Sequence, residues 1–560
     1  MNLLTSPGHS RFCVGTQIAL AFIVFLANSA DGATASTLNS DGLRIVAISD
    51  DPALSIPGGS VSGVSIPVLN NHGQIAFTAS VLQDQGSEPL VNSSLWLANH
   101  DEEPALLALE GQFVPNRTDD LRFFDRFSNI VLNDEGQVAF VSNELSNRGI
   151  LGSQIWIYGE EQFRLIADSD SAIPSAVDAA HIVGLPRFRF NNTGQLLLIA
   201  NVRSAEDAGT GDSSRGLWLF EDNSIQLLAE VGVTAPGTNG QASYFDFGDV
   251  ALGNDGALAV EIWLNLPVGE HPSGGRQKGV LSTLDLSPIA YTFDDAPGTG
   301  TMYAGFADVT VAKNGRVAFG SGFFERVEGP TAINNGGVWI EDDSGQLQLV
   351  ARSGERAPDT PEGVFFESFG DIVVSAQGDA AFYGYLWSGS GDVLAGTNST
   401  GIWRTTKDGE IELIIRDGDP APLLTDGITI SSISEGAFAL NSLGQIAFTA
   451  NFGIEQTAVW ATDKDSNLQL ILASGMTLEV APGDFRTTKY VWADLGEGSG
   501  AGTSSGFNDL GQLALSVVFD DGSSGIVVSN AVSIPEGCST SLMCWGVILV
   551  LGGRWIPTKR

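Results

Sequence analysis

Asn70-Asn71-His72-Gly73-Gln74-Ile75-Ala76-Phe77 is the stretch from which the architecture follows. It returns as NDEGQVAF from Asn133 to Phe140, NSLGQIAF from Asn441 to Phe448 and NDLGQLAL from Asn508 to Leu515. Looser copies begin at Asn191, Gly253, Ala312 and Ser375, so eight copies start 58 to 67 residues apart. Self-similarity at a near-constant period marks a repeat fold in which each repeat is one supersecondary unit. Within each copy, Asn and Gly are expected to supply the positive φ values of a tight hairpin. The residues before it alternate like a strand, as in Phe245, Phe247, Asp249 and Ala251, and a second strand follows the glycine.

Each unit has a second half. A strand carries a tryptophan in most copies, as in Leu95-Trp96-Leu97, Leu217-Trp218-Leu219 and Val338-Trp339-Ile340. A polar turn follows, then a strand such as Ile225-Gln226-Leu227-Leu228-Ala229, then a loop containing proline. One unit is therefore four antiparallel strands. The last unit ends at Gly525 to Ser529 without its fourth strand, and the chain opens with an unpartnered strand of that type, Leu43 to Ala47. A ring closed by its own first strand leaves no open sheet edge. The sequence thus predicts an all-β fold, a β-propeller of eight four-stranded blades with the N-terminal strand completing the last blade. A seven-bladed ring with one divergent extra unit is the alternative.

Composition narrows the partners. There are 27 Lys and Arg against 66 Asp and Glu in 560 residues. A protein that tracks phosphates needs a basic footprint, so nucleic acid is excluded as a partner. The three cysteines, Cys13, Cys538 and Cys544, lie near the termini, which excludes a disulfide scaffold or a cysteine zinc site for the body. Arg11, the apolar run Ile18 to Leu26 and Ala33-Thr34-Ala35 read as a secretory signal over residues 1–35, with an uncleaved anchor as the alternative. Residues 36–533 form the single repeat domain. Residues 534–560 form a terminal segment, with an apolar stretch from Leu542 to Leu551 and cations at Arg554, Lys559 and Arg560. Such a segment can enter a bilayer and halt with its charges cytoplasmic.

Two resemblances follow from these residues. The tail from Ile534-Pro535-Glu536-Gly537 onward resembles a PEP-CTERM sorting signal, although Gly537 stands where a second proline is expected and Pro557 interrupts the basic end. That resemblance implies recognition by an exosortase-type enzyme. The eight-fold motif resembles the bacterial tandem NxxGxxAF-repeat family of exported proteins with variable C-terminal anchors. The resemblance covers about residues 42–530 and implies an exported repeat protein, at the cell surface, in the envelope or extracellular. It implies no catalytic residue.

A candidate site follows from counting. Four residues before each motif stand Ile66, Asn129, Arg187, Asp249, Asp308, Asp371, Ala437 and Ser504. With the first strand innermost, these ring the channel mouth near the face of the long loops. Asp249, Asp308 and Asp371 from three successive units present oxygen ligands, which suits a hard cation such as Ca²⁺. The same carboxylates suit acid–base work, or bond to backbone N–H groups within their own blades. An offset of one residue would turn each side chain to the opposite face. The histidines are scattered, Asp463-x-Asp465-x-Asn467 reads as an acidic hairpin turn, and the tryptophan series reads as sheet packing. The resulting expectation is an exported, surface- or matrix-associated binding or structural module, for polysaccharide or a surface protein. The alternative is a carbohydrate-active or ester hydrolase with a carboxylate and Ca²⁺ site at the channel mouth.

Overall fold

A computed structural model describes residues 42–533, except 54, 84–89, 101, 116–121, 147–148, 170–171, 176–179, 205–212, 237, 239, 255, 268–275, 284, 313, 325–335, 343, 376, 407–408, 497–501 and 503–504. The signal at 1–35 and the tail at 534–560 lie outside the described residues. Among the described residues no helix is long and apolar enough to cross a membrane.

Eight small antiparallel sheets make an eight-bladed β-propeller. Blade 1 is built from Gly59–Val64 with Val68–Leu69, then Ile75–Gln83, Leu90–Ala98 and Ala105–Leu109. Blades 2 to 7 open with the strands Arg122–Leu132, Ala180–Phe190, Ser243–Leu252, Thr301–Val311, Phe366–Val374 and Ile430–Leu440. Blade 8 holds Asp484–Ala493, Leu513–Phe519 and Ser524–Ser529, and its outer place is taken by Leu43–Ile48. That first strand runs antiparallel to the last, with Leu43 opposite Ser529 and Ile48 opposite Gly525. The predicted closure and the count of eight both hold.

The motif glycine does what was expected: Gly73, Gly136, Gly444 and Gly511 have φ between 71° and 76°. The motif asparagine does not, for Asn70 keeps an ordinary φ and acts as a hydrogen-bond hub. Its Oδ1 accepts from the backbone N–H groups of His72 (3.0 Å) and Gln74 (2.9 Å). Its Nδ2 donates to Gln74 Oε1 at 2.7 Å and to the carbonyl of Asn133 in the next blade at 2.9 Å. The pattern repeats from Asn133 to the Asn191 carbonyl, from Asn191 to Gly253, from Asn441 to Asn508, and from Asn508 back to Asn70. A second series runs beside it, in which the backbone N–H of Asn71 donates to Asp134 Oδ1, Asp134 to Asn192 and Asn192 to Asn254. Ser442 to Asp509 and Asp509 to Asn71 complete that series. The repeated Asn therefore joins blades as well as shaping its own turn.

Asn133→Ala should cost about 1–3 kcal/mol in denaturant unfolding, because it leaves the Gln137 N–H without its acceptor and removes one of the two bonds to the Asn191 carbonyl, which keeps that from Gly194. A loss below about 0.5 kcal/mol, the scale of a neutral surface change, would show that these inter-blade bonds carry no stability.

The tryptophans are core, as expected. Trp218, Trp339, Trp403 and Trp460 are fully buried, and each indole N–H donates to a proline carbonyl of a connecting loop: Pro174, Pro297, Pro358 and Pro422. The ring of Phe448 stacks on Trp460 at 5.5 Å, and Phe319 on Trp339 at 6.0 Å. Motif phenylalanine, third-strand tryptophan and loop proline thus form one packing unit, and these indoles offer no face to a ligand.

Candidate functional site

The first strands of neighbouring blades touch one another, so they line the axis. Their pairing with the second strand is interrupted at two places in each of blades 4 to 7. The slip nearer the motif turn falls between Phe247 and Val250, Ala307 and Thr310, Phe369 and Ile372, and Ile433 and Phe438. A bulge leaves a residue outside the ladder and re-aims its side chain. Asp249, Asp308 and Asp371 each sit at such a bulge, which is why simple alternation does not describe them. Asp308 adopts φ 53°, as Asn129 in blade 2 adopts 49°, a left-handed conformation uncommon outside glycine.

Asp308 stands three residues before the end of Thr301–Val311, the end that leads into the motif turn. The carboxylates are therefore deeper in the channel than a mouth on the long-loop side. Two further carboxylates join them. Glu435 lies where a Cβ on Gly370 of blade 6 would collide with Oε1, and Asp371 Oδ2 is 3.0 Å from the place of a Cβ on Gly436. Only glycine at position 370 allows that approach. Glu261 is buried on the second strand of blade 4, Leu258–Asn265, against Gly248, and pairs with Lys278 at 3.2 Å. Tyr385 donates its hydroxyl to Glu435 Oε2 at 2.8 Å.

These groups act on one another. Burial pushes the Asp308 carboxyl up to about 8, and the charges of Asp371, Asp249, Glu435 and Glu261 add to the rise. Burial pushes Glu261 up to about 7, opposed by Lys278. At neutral pH the channel thus holds a carboxylic acid beside carboxylates. Such a mixture offers both donors and acceptors, and it is also the disposition of an acid–base pair.

The remaining ring positions do not join this group. Ile66 and Arg187 are exposed, Ala437 is apolar, and Ser504 lies outside the described residues. Among the described residues no three His, Cys, Asp or Glu side chains are grouped so as to hold a metal ion. Asp249, Asp308 and Asp371 interact through charge without forming a coordination cage. Asp463 accepts from the N–H groups of Asp465 and Asn467, both at 2.9 Å, as an acidic turn does. Two clefts of about 20 and about 50 Å³ involve none of the three aspartates, and each has room for a water or two.

Counting from the motif missed Glu435, because the bulge of blade 7 spans four residues, 434 to 437, so the counted place falls on Ala437. It missed Glu261 because that residue comes from the second strand. The available signal was a single acid within the otherwise apolar run Leu258 to Leu264.

One family model matches the chain twice, over residues 19–275 and 277–541, each match spanning about half the ring. No curated protein matches the sequence. Solved structures similar to it include the polysaccharide lyase Uly1, at 12% identity and TM-score 0.34, covering 83% of this chain and 89% of that one. Another is the Penicillium chrysogenum alpha-L-arabinanase, at 14% identity and TM-score 0.27, covering 63% and 96%. A third is the Pyrococcus horikoshii acylaminoacyl peptidase, at 11% identity and TM-score 0.33, covering 73% and 52%. Likeness at this level concerns the fold and not the chemistry.

Proposed function

The chain belongs to the family of unknown function DUF7453, and since that membership brings no activity with it, we propose one from the channel: an exported, surface-associated β-propeller that binds polysaccharide through its cluster of carboxyl groups in blades 4 to 7. The observation that carries this reading is the mixed protonation of the site. Asp308 keeps a proton near neutrality because it is buried among other acidic side chains. A sugar hydroxyl both donates and accepts, so it is matched by a carboxyl donor set among carboxylate acceptors. The strongly acidic body favours neutral or amine-bearing glycans and repels polyanions. The signal at the N-terminus and the sorting-like tail support export and a place at the envelope.

The test is affinity electrophoresis through gels containing neutral, amine-bearing or anionic polysaccharides. The expected result is retardation by at least one of the first two, weakened about tenfold by Glu435→Gln and fading above pH 8 as Asp308 loses its proton. Equal mobility in every gel would overturn the reading, as would retardation indifferent to both changes. A second reading, hydrolysis, is favoured by the same pair of protonated and charged carboxyls. Release of reducing ends by the wild-type protein and its loss in Asp308→Asn would establish it, whereas retention of intact polymer would leave the binding module.

A further inference from the structure

The first strands of the blades, which line the axis, divide by charge. Those of blades 4 to 7 carry Asp246, Asp249, Asp308, Glu367, Asp371 and Glu435 and not one lysine or arginine. Those of blades 8, 2 and 3 reverse the sign, with Arg486, Lys489, Arg122, Arg126, Arg187 and Arg189 against Asp484 and Asp125. The first strand of blade 1, Gly59–Val64 with Val68–Leu69, is uncharged. The chain as a whole has 66 Asp and Glu against 27 Lys and Arg. A wall on which cations outnumber acids is therefore a local reversal, and it occupies one continuous half of the ring, opposite the carboxyl cluster.

Three of these cations face the channel. A first strand is flanked by a blade on each side, so an exposed side chain in the body of the strand opens onto the axis. Arg126, Arg187 and Lys489 are exposed on this half, as Glu435 is on the other. They are turned inward by the device that turns the acids. Arg126 falls in the slip between Phe124 and Phe127, and Lys489 in that between Thr488 and Tyr490. Arg187 stands four residues before its motif, the place that Asp249, Asp308 and Asp371 hold before theirs. Asn129 in blade 2 repeats the left-handed backbone of Asp308, with φ 49° against 53°, and puts a neutral amide where blade 5 has a carboxyl. Arg189 and Arg486 are engaged elsewhere, with the Val250 carbonyl at 2.9 Å and with Asp484 at 3.0 Å. Lys489 lies 5.3 Å from the centre of the Tyr490 ring. Among the described residues no carboxylate pairs with Arg126, Arg187 or Lys489. In a chain so rich in acids, three exposed cations left unpaired around one channel are available to a bound group.

We propose that the channel is bipolar and selects zwitterionic polysaccharide, whose units carry both an amine and a carboxylate: Arg126, Asn129 and Arg187 take the carboxylate, and Glu435 with Asp371 takes the amine on the facing wall. The inference rests on the reading of the channel as a polysaccharide site and names the chemical class that fits it. A guanidinium matches a carboxylate with two parallel N–H···O bonds, and the amide of Asn129 adds a further donor. A polyamine satisfies one wall and sets its ammonium groups against the arginines of the other. A polyanion does the reverse. Each single-signed polymer therefore meets repulsion as well as attraction, and only a chain with both signs meets attraction alone.

The experiment is affinity electrophoresis of the full chain at about 0.15 M salt, where exposed charges more than about 8 Å apart are screened and general attraction to the acidic body is suppressed. The probes are chitosan, carboxymethyl cellulose and carboxymethyl chitosan, related β-linked polymers that bear an amine, a carboxylate or both. The wild type should bind carboxymethyl chitosan about tenfold more tightly than either of the others. Arg126→Gln with Arg187→Gln, both at exposed positions, should erase that margin without weakening the affinity for chitosan. Lys464→Gln removes an exposed cation from an outer turn of blade 7 and should leave the margin intact. No margin in the wild type overturns the proposal, as does a margin that survives in the double variant. Retention by chitosan that depends on Glu435, with no preference for carboxymethyl chitosan, overturns the proposal and leaves the polysaccharide reading standing. Equal mobility in every gel, neutral polymers included, removes both.

Discussion

Asp308→Asn is expected to stabilise the protein, by an amount that grows from about pH 4 to about pH 8 and then levels. The folded carboxyl titrates at about 8, against 3.8 for an unhindered aspartate, so between those values the folded state holds a proton that the unfolded chain has released. Stability then falls as pH rises, by about 1.4 kcal/mol per pH unit for one full proton. Integrated over the window, the penalty on the wild type is on the order of 5 kcal/mol, reduced by whatever relaxation the neighbouring carboxylates allow. Asparagine has no proton to lose and keeps the shape and one donor. Asp417, which burial raises to about 6, contributes the same slope to both proteins and cancels in the difference. Unfolding by urea at pH 5, 7 and 9 measures this. Parallel curves for the two proteins would show that Asp308 is ionised in the folded state at neutral pH.

Removal of residues 43–48 should abolish cooperative folding of the monomer. Val46, Ala47 and Ile48 are buried, and the strand covers the edge formed by Ile526, Val527 and Val528, all of them buried in turn. Exposing a large aliphatic side chain costs about 1.5–3 kcal/mol, so two such losses with five strand pairings approach the 5–15 kcal/mol that holds a typical domain together. The uncovered edge is also a template for pairing between chains. Analytical ultracentrifugation of the truncated protein should find oligomers, and a synthetic peptide of residues 42–50 should return it to a monomer. A truncated chain that stayed monomeric and unfolded in one sharp transition would mean that the ring does not depend on this strand.

The blades were legible because the information that forms them is local. The alternation around Phe245 to Ala251, the glycine of each motif and the tryptophan of most third strands all act within a few residues. Closure was legible by elimination, from one strand too many at the start and one too few at the end. The work of the motif asparagine was not, because the carbonyl that receives the Asn70 amide lies 63 positions away. The candidate site was legible in part. Asp249, Asp308 and Asp371 follow from counting, while Glu435 and Glu261 are set by a long bulge and by a neighbouring strand. Depth was misjudged for the same reason, because bulges consume residues that a straight strand would spend on length.

Ser49, just past the closing strand, bonds to the carbonyl of Ser524, 475 positions away. The first described strand is therefore the last to find its place. Until Ser524–Ser529 exists, Leu43–Ile48 is an apolar ribbon with no partner, carried by a growing row of blades that cannot yet meet end to end. Contacts so distant in sequence form slowly, and the interval is one in which strangers compete for the same edge.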